Sequence, residues 1–195
     1  MRRTPLGALV LALTLVVGLS SCTGDDDDGS GGTGPETGGS DTASGIETRV
    51  EVGAVAGKLP KGPARDVAAD VARVVDGWLD AAYVDGDYPR SDFGDAFPGF
   101  TKDAAALASK QAGLMSNKAV GDQVDSVTAT RRVVRVDVLA PKGKAAAATA
   151  HVNLVIELTG DQERTDQVRG RVLLTRTKGD WKVFGFDVER GEVRG

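Results

Sequence analysis

Ala145–Thr159 reads A-A-A-A-T-A-H-V-N-L-V-I-E-L-T, and its period of two decides the fold. Ala146, Ala148, Ala150, Val152, Leu154, Ile156 and Leu158 fall on one face, and Thr149, His151, Asn153 and Glu157 on the other. That is the alternation of a strand with one face on a core. The same period holds from Val124 almost to the C-terminus, in further runs over 124–140, 164–178 and 181–190. Their separators are Pro141-Lys142-Gly143-Lys144, Gly160-Asp161-Gln162-Glu163 and Gly179-Asp180. Such short, turn-rich links predict hairpins, and so a four-stranded antiparallel meander.

The outer runs qualify this reading. In the third, Val168, Gly170, Val172 and Leu174 share a face. In the first, Val127 and Ala129 keep one phase and Val134, Val136 and Val138 the other, with Arg131-Arg132 between them. A bulge at that point switches faces and bends the strand.

Towards the N-terminus the period lengthens. Val67, Val71, Val74, Val75, Trp78, Leu79 and Ala82 recur every three or four residues, which predicts an amphipathic helix over 64–84. Pro63 suits its first turn and Gly86 its stop. A second, alanine-rich helix is expected from Lys102 to about Met115, with Thr101 as N-cap. Between them 87–99 is irregular, with two prolines and the aromatics Tyr88, Phe93 and Phe97. Ahead of the first helix, Val50, Val52 and Val55 alternate loosely and predict a short extended lead-in.

The first 45 residues are of another kind. Arg2 and Arg3 precede an apolar segment from Leu6 to Leu19, then Ser20, Ser21 and the single cysteine, Cys22. A charged start, a short apolar core and small residues describe an export signal, and the apolar part is short for a membrane span. One cysteine excludes an intrachain disulfide and any multi-cysteine metal site. A thiol directly behind the apolar segment is placed for acylation; an ordinary secreted protein and an uncleaved signal anchor are the alternatives. From Thr23 to Gly45 the chain is nearly all Gly, Ser, Thr and acid, a composition that cannot offset its own ordering entropy. It is expected to be a disordered tether with a reach of roughly 25–30 Å. Asp25–Asp28 lack the turn that converges oxygens on a cation, so they read as a solvated spacer.

The formal net charge of −4 is unevenly spread. Six acids and no base lie in 22–44, and Arg2 and Arg3 add two positive charges, so the chain from Gly45 onward is neutral. A neutral domain has no basic field for phosphate backbones, and nucleic acid is not an expected partner. The sequence has one histidine and neither a glycine-rich strand-to-helix loop nor a serine nucleophile elbow, so neither metal nor cofactor is expected.

Two resemblances rest on these residues. Leu19-Ser20-Ser21-Cys22 matches the lipobox of bacterial lipoproteins. It implies a signal peptide over 1–21, diacylglycerylation at Cys22, the tether over 22–45, and anchoring on the outer face of the cell membrane. From Arg65 to Glu189 the element order, ending in Gly179-Asp180-Trp181-Lys182-Val183-Phe184, resembles the NTF2-like (cystatin-like) superfamily. That implies an α+β cone over 46–195, with two or three N-terminal helices packed on a bent four-stranded antiparallel sheet. The combination is similar to actinobacterial envelope proteins associated with Mce lipid-transport systems, although those usually begin with a transmembrane helix.

Enzymes of the superfamily hold acids, histidine or tyrosine inside the cone. Here the inward positions of the second and third runs are read as Ala, Val, Leu, Ile or Gly, and therefore free of acid and base. His151 falls on the opposite face. Tyr83, Tyr88, Asp92, Phe93 and Phe97, with Asp95, are the candidates for a cavity mouth, and Asp187 shares the parity of Trp181 and Val183 and so could face inward. Trp78 and Trp181 read as core. The leading expectation is a non-catalytic module that acts through an envelope protein partner or a homodimer. A cone holding a small apolar or lipid ligand is the alternative, and an isomerase- or cyclase-like enzyme the third.

Overall fold

The computed structural model describes residues 46–193. They form an α+β unit with one mixed sheet of five strands in the order β1-β2-β3-β4-β5. The strands are β1 (Arg49–Gly57), β2 (Val124–Ala140), β3 (Ala147–Gly160), β4 (Arg164–Thr177) and β5 (Asp180–Glu192). The helices are α1 (Lys61–Leu79), α2 (Lys102–Lys110) and α3 (Ala112–Met115).

The meander over β2–β5 forms where the period of two places it, every neighbouring pair antiparallel. The fifth strand corrects the four-stranded expectation. The Val50–Val55 segment pairs parallel with β2, Val50 beside Val134 and Val52 beside Val136. Parallel partners lie far apart in sequence, so no local turn announces the pairing. The last hairpin turns at Lys178-Gly179, both at positive φ, one residue before the expected Gly179-Asp180. Thr177 therefore faces Asp180 across a two-residue turn.

Four bulges interrupt the strands, and two of them set which side chains face the helices. In β2 the register shifts between Ala129 and Arg131, as the change of phase predicts, and turns Arg132, Val134, Val136 and Val138 inward. In β5 the shift between Val183 and Gly185 leaves Phe184 as the extra residue. Inward positions then continue through Phe186, Val188 and Arg190, so Asp187 points outward, against expectation, and pairs with Arg171 at 3.0 Å. The other two lie in β1 between Val52 and Val55 and at the start of β2 between Val124 and Ser126.

α1 begins at Lys61, three residues ahead of the expected start, and runs to Leu79. A π-turn over Asp80–Val84 follows, and Gly86 at φ +108° reverses the chain. Its buried stripe is Ala64, Val67, Ala68, Val71, Ala72, Val75, Trp78 and Leu79, small residues alternating with large so that the helix lies close on the sheet. Thr101 caps α2, accepting from the Ala104 N–H at 3.3 Å. The expected second helix is broken at Gln111 (φ −112°, ψ 31°), and the chain restarts as α3 so that Met115 is buried.

Gly170 in β4 has φ +143°, and a Cβ there would strike the Asp187 carbonyl and the Val188 Cα of the neighbouring strand. Gly170→Ala is expected to lower the unfolding free energy by about 1–3 kcal/mol in urea titration, through left-handed strain alone and more if β5 must shift.

Candidate functional site

The concave side of the sheet is occupied by side chains. Trp78, Leu79, Tyr83, Met115, Leu154, Ile156, Val172 and Leu174 are all fully buried, and they lie between sheet and helices. The aromatic segment closes over them. Trp78 meets Tyr83 and Phe100 edge-on at 5.8 Å each, Phe97 lies 5.5 Å from Phe100, and Phe186 extends the row at 6.5 Å.

The expected mouth residues are therefore drawn into packing and turn contacts. The Tyr83 hydroxyl donates to the Leu114 carbonyl at 2.6 Å, and the Tyr88 hydroxyl donates to the Tyr83 carbonyl at 2.9 Å. Burial pushes the Tyr83 phenol far above its ordinary range against the pull of Arg190, and burial likewise raises Tyr88 against Asn117, Arg90 and Arg190. Both stay protonated at neutral pH and act as donors. Phe93 is buried beneath the Arg90 guanidinium, 4.2 Å from its ring centroid. Asp92 is exposed, and its Oδ1 accepts from the Gly94 N–H at 2.8 Å, an Asx turn. Asp95 is exposed. Trp78 and Trp181 are core residues, as expected. Cys22 lies outside the described residues.

Three polar clusters that the sequence did not reveal stand out. The first is centred on Asp166, which overturns the expectation of an acid-free inward face. It sits on β4 in the inward phase of Val168 and Val172 and is 1 % exposed. Its Oδ2 accepts from Arg190 Nε at 2.8 Å, Arg190 Nη2 at 2.6 Å and Arg164 Nη2 at 3.0 Å, and Oδ1 lies 3.0 Å from Arg164 Nε. Arg190 also donates through Nη1 to the Ser116 carbonyl at 2.9 Å. A cleft of about 320 Å³ borders the cluster, lined by Gly113, Leu114, Val120, Arg164 and Glu192 among others. An Asp at an inward position, with Arg at the inward position of the paired strand, was the available signal. The β5 bulge hid it by reversing the phase of Arg190.

The second cluster follows from the β2 bulge. Arg132, 9 % exposed at its side chain, donates to Asp80 at 2.7 Å and to Asp76 at 3.3 Å, both on the α1 side of the sheet. Thr48 donates to the same Asp76 oxygen at 2.6 Å, so β2, α1 and the approach to β1 are joined. In the third cluster, on the outer face, Asp137 accepts from His151 Nε2 at 2.9 Å and from the Ala54 N–H at 2.8 Å. His151 is on the face opposite the core, as expected, and half-buried. Burial works to raise the Asp137 carboxyl, but the Ala54 N–H, His151 and Arg135 outweigh it and hold the group below its usual range.

None of these arrangements pairs a nucleophile with a base. Asp166 and Arg132 are each engaged by opposite charge, and among the described residues no three His, Cys, Asp or Glu side chains converge as a metal set. A larger cleft of about 420 Å³ lies between α1 and the β4–β5 turn, lined by Arg73, Val74, Pro98, Arg176, Trp181 and Lys182 among others. Arg176 stacks over Trp181 there at 4.7 Å. On the outer face an apolar cleft of about 230 Å³ is lined by Ala54, Ala56, Leu139, Leu173 and Phe184 among others. Leu139 and Phe184 on its walls are about half exposed. No helix among the described residues is long and apolar enough to cross a membrane. No family model, curated protein or solved structure matches the chain.

Asp166→Ala leaves the buried Arg190 guanidinium without its acid, with Arg164 partly exposed beside it, and a loss of about 3 kcal/mol is expected in denaturant unfolding. Asp137 gives a pH test. A carboxyl held below its unfolded value of about 3.9 contributes stability above that value and loses it as pH falls through the folded value. The stability gap between the wild type and Asp137→Asn is therefore expected to narrow as pH is lowered from about 5 to 2. A gap that stays constant would remove the electrostatic account.

Proposed function

We propose that this protein is a lipid-anchored, extracytoplasmic, non-catalytic module of a bacterial envelope, with an NTF2-like domain that acts through a protein partner. The observation that carries the reading is the fate of the inward charged groups. Asp166, Arg190 and Arg132 are each consumed in an ion pair, and the concave face around them is filled by Trp78, Tyr83, Met115 and Leu154. General acid–base work needs a group with a free proton site within reach of a substrate, and these groups are committed to one another.

The NTF2-like part of the proposal is supported by helices packed on the concave side of a bent meander, with β1 as an addition at its edge. A protein partner is supported by the apolar cleft walled by Leu139, Leu173 and Phe184, the contact surface we assign to it. Phe184 is there because the β5 bulge turns it out of the core. Exposed apolar surface rimmed by polar side chains is a common mark of a protein contact. Anchoring is supported by Leu19-Ser20-Ser21-Cys22 and by the neutral charge from Gly45 onward. A diacylglyceryl group supplies the two chains that stable attachment needs.

Cys22→Ala is expected to move the protein out of the membrane fraction and to abolish incorporation of a labelled fatty acid. Unchanged membrane retention would point to an uncleaved signal anchor. A robust turnover that Tyr88→Phe or Asp92→Asn abolishes while the fold is kept would sink the non-catalytic reading.

A further inference from the structure

The two edges of the sheet are treated differently. The β5 edge is covered near its start, where the Val183 N–H donates to the Gly99 carbonyl at 2.9 Å and the Thr101 N–H donates to the Val183 carbonyl at 2.8 Å. The β1 edge has no such cover among the described residues. Its backbone bonds on one side to β2, and from Thr48 to Val52 the other side has no backbone partner among the described residues. Val50 and Val52 lie beside Val134 and Val136, in the phase that faces the helices. α1 covers the β2 valines completely but leaves Val50 and Val52 each 41 % exposed. A flat edge with exposed apolar side chains is a template for another strand. Sheets usually blunt such edges with charged side chains, lysine above all, with proline or with a bulge, and here the charges are Arg49 and Glu51, of opposite sign. Thr48–Val52 contains neither proline nor lysine, and the β1 bulge begins only after Val52.

We propose that this edge is a self-association surface, on which two copies pair antiparallel through Thr48–Val52 about a two-fold axis at Val50. The charge pattern selects both the partner and the register. Antiparallel pairing centred on Val50 sets Arg49 opposite Glu51 of the second copy, and Glu51 opposite its Arg49. The pairing also sets Val50 on Val50 and Thr48 on Val52, so the strand is complementary to itself. A register centred on Arg49 places Arg49 on Arg49 and Glu47 on Glu51, two repulsive contacts. A register centred on Thr48 also matches charges, Glu47 with Arg49, but leaves Val52 beyond the pairing. With the axis at Val50, like phases meet, so both helical layers lie on one side of a continuous ten-stranded sheet. Within each copy Arg49 already pairs with Glu51 at 3.0 Å, Arg49 being largely and Glu51 partly exposed, so the exchange to the second copy replaces one solvent-accessible ion pair by another. The proposal is independent of membrane attachment and of the absence of catalysis.

The test uses the full chain in mild detergent, with micelles in excess over protein. Sedimentation of the wild type is expected to show a concentration-dependent dimer. Arg49→Glu and Glu51→Arg each set like charges opposite one another and are expected to sediment as monomers. Their equimolar mixture restores both opposite-charge pairs between unlike copies and is expected to return the dimer. An intrachain role for the Arg49–Glu51 pair would give no such recovery. On a Cys22→Ala background, Val50→Cys is expected to form an intermolecular disulfide on mild oxidation, because directly opposed residues lie about 4.5–5.5 Å apart at Cα. Thr48→Cys is expected not to, its two copies being roughly 13 Å apart along the strands. A wild type that is monomeric at every concentration, or a mixture that sediments no faster than either variant, overturns the proposal. Cross-linking by Thr48→Cys in place of Val50→Cys overturns the register.

Discussion

Three consecutive carbonyls, those of Leu114, Met115 and Ser116, end the four-residue helix α3, and each is bonded by a side chain from elsewhere. Tyr83 donates to the first at 2.6 Å, Trp78 to the second at 3.2 Å and Arg190 to the third at 2.9 Å. Helix C-termini leave such carbonyls without partners, and inside a protein each one left open is costly. Here the demand is met by a residue of α1, one of the π-turn and one of the last strand. The same bonds fix where the concave side is closed. Arg190 is held in turn by Asp166, and Tyr83 lies under the Arg190 guanidinium at 5.7 Å. The helical layer and the far end of the sheet are thus joined through one polar knot surrounded by apolar packing.

Bulges decide what this knot can be made of. Each inserts one residue and reverses the phase of the strand beyond it, so a charged side chain that simple alternation would send to solvent is turned inward, or the reverse. Arg132 comes inward to Asp76 and Asp80, and Arg190 comes inward to Asp166. Asp187 goes outward to Arg171, and Phe184 is put on the outer face. The buried charges are placed in pairs across elements, β2 with α1 and β4 with β5, which favours register and orientation as much as stability. With these acids and bases paired in this way, the concave side is closed by ion pairs and packing, and exposed apolar side chains stand on the outer face and along the β1 edge.

Much of the fold is legible in the residues. The period of two in 145–159 marks β3 and, through its short hairpins, the antiparallel meander. The three-to-four spacing from Val67 to Leu79 marks α1, and the phase change around Arg131-Arg132 marks the β2 bulge. The site is less legible. Tyr83, Tyr88, Phe93 and Phe97 were identifiable as a group, but their role as packing and donors depends on carbonyls and rings from distant segments. Asp166 was in the inward phase of its own run, yet an isolated aspartate in a strand carries no sign of being paired. The partner Arg190 lies 24 residues further on and behind a bulge.

The sequence by itself determined the class of the domain, its strand order from Val124 onward, its neutral charge and the expectation of export and acylation at Cys22. These come from periodicity, turn chemistry and composition, which act over a few residues at a time. Only the tertiary structure decided that Val50–Val55 is a parallel fifth strand, that Asp166 and Arg132 are buried in ion pairs, and that the aromatic segment fills the concave face. Those outcomes depend on which distant groups meet in a space with little water. There an unpaired charge or carbonyl costs more than local preference can supply, so the pairing of the whole chain sets the answer.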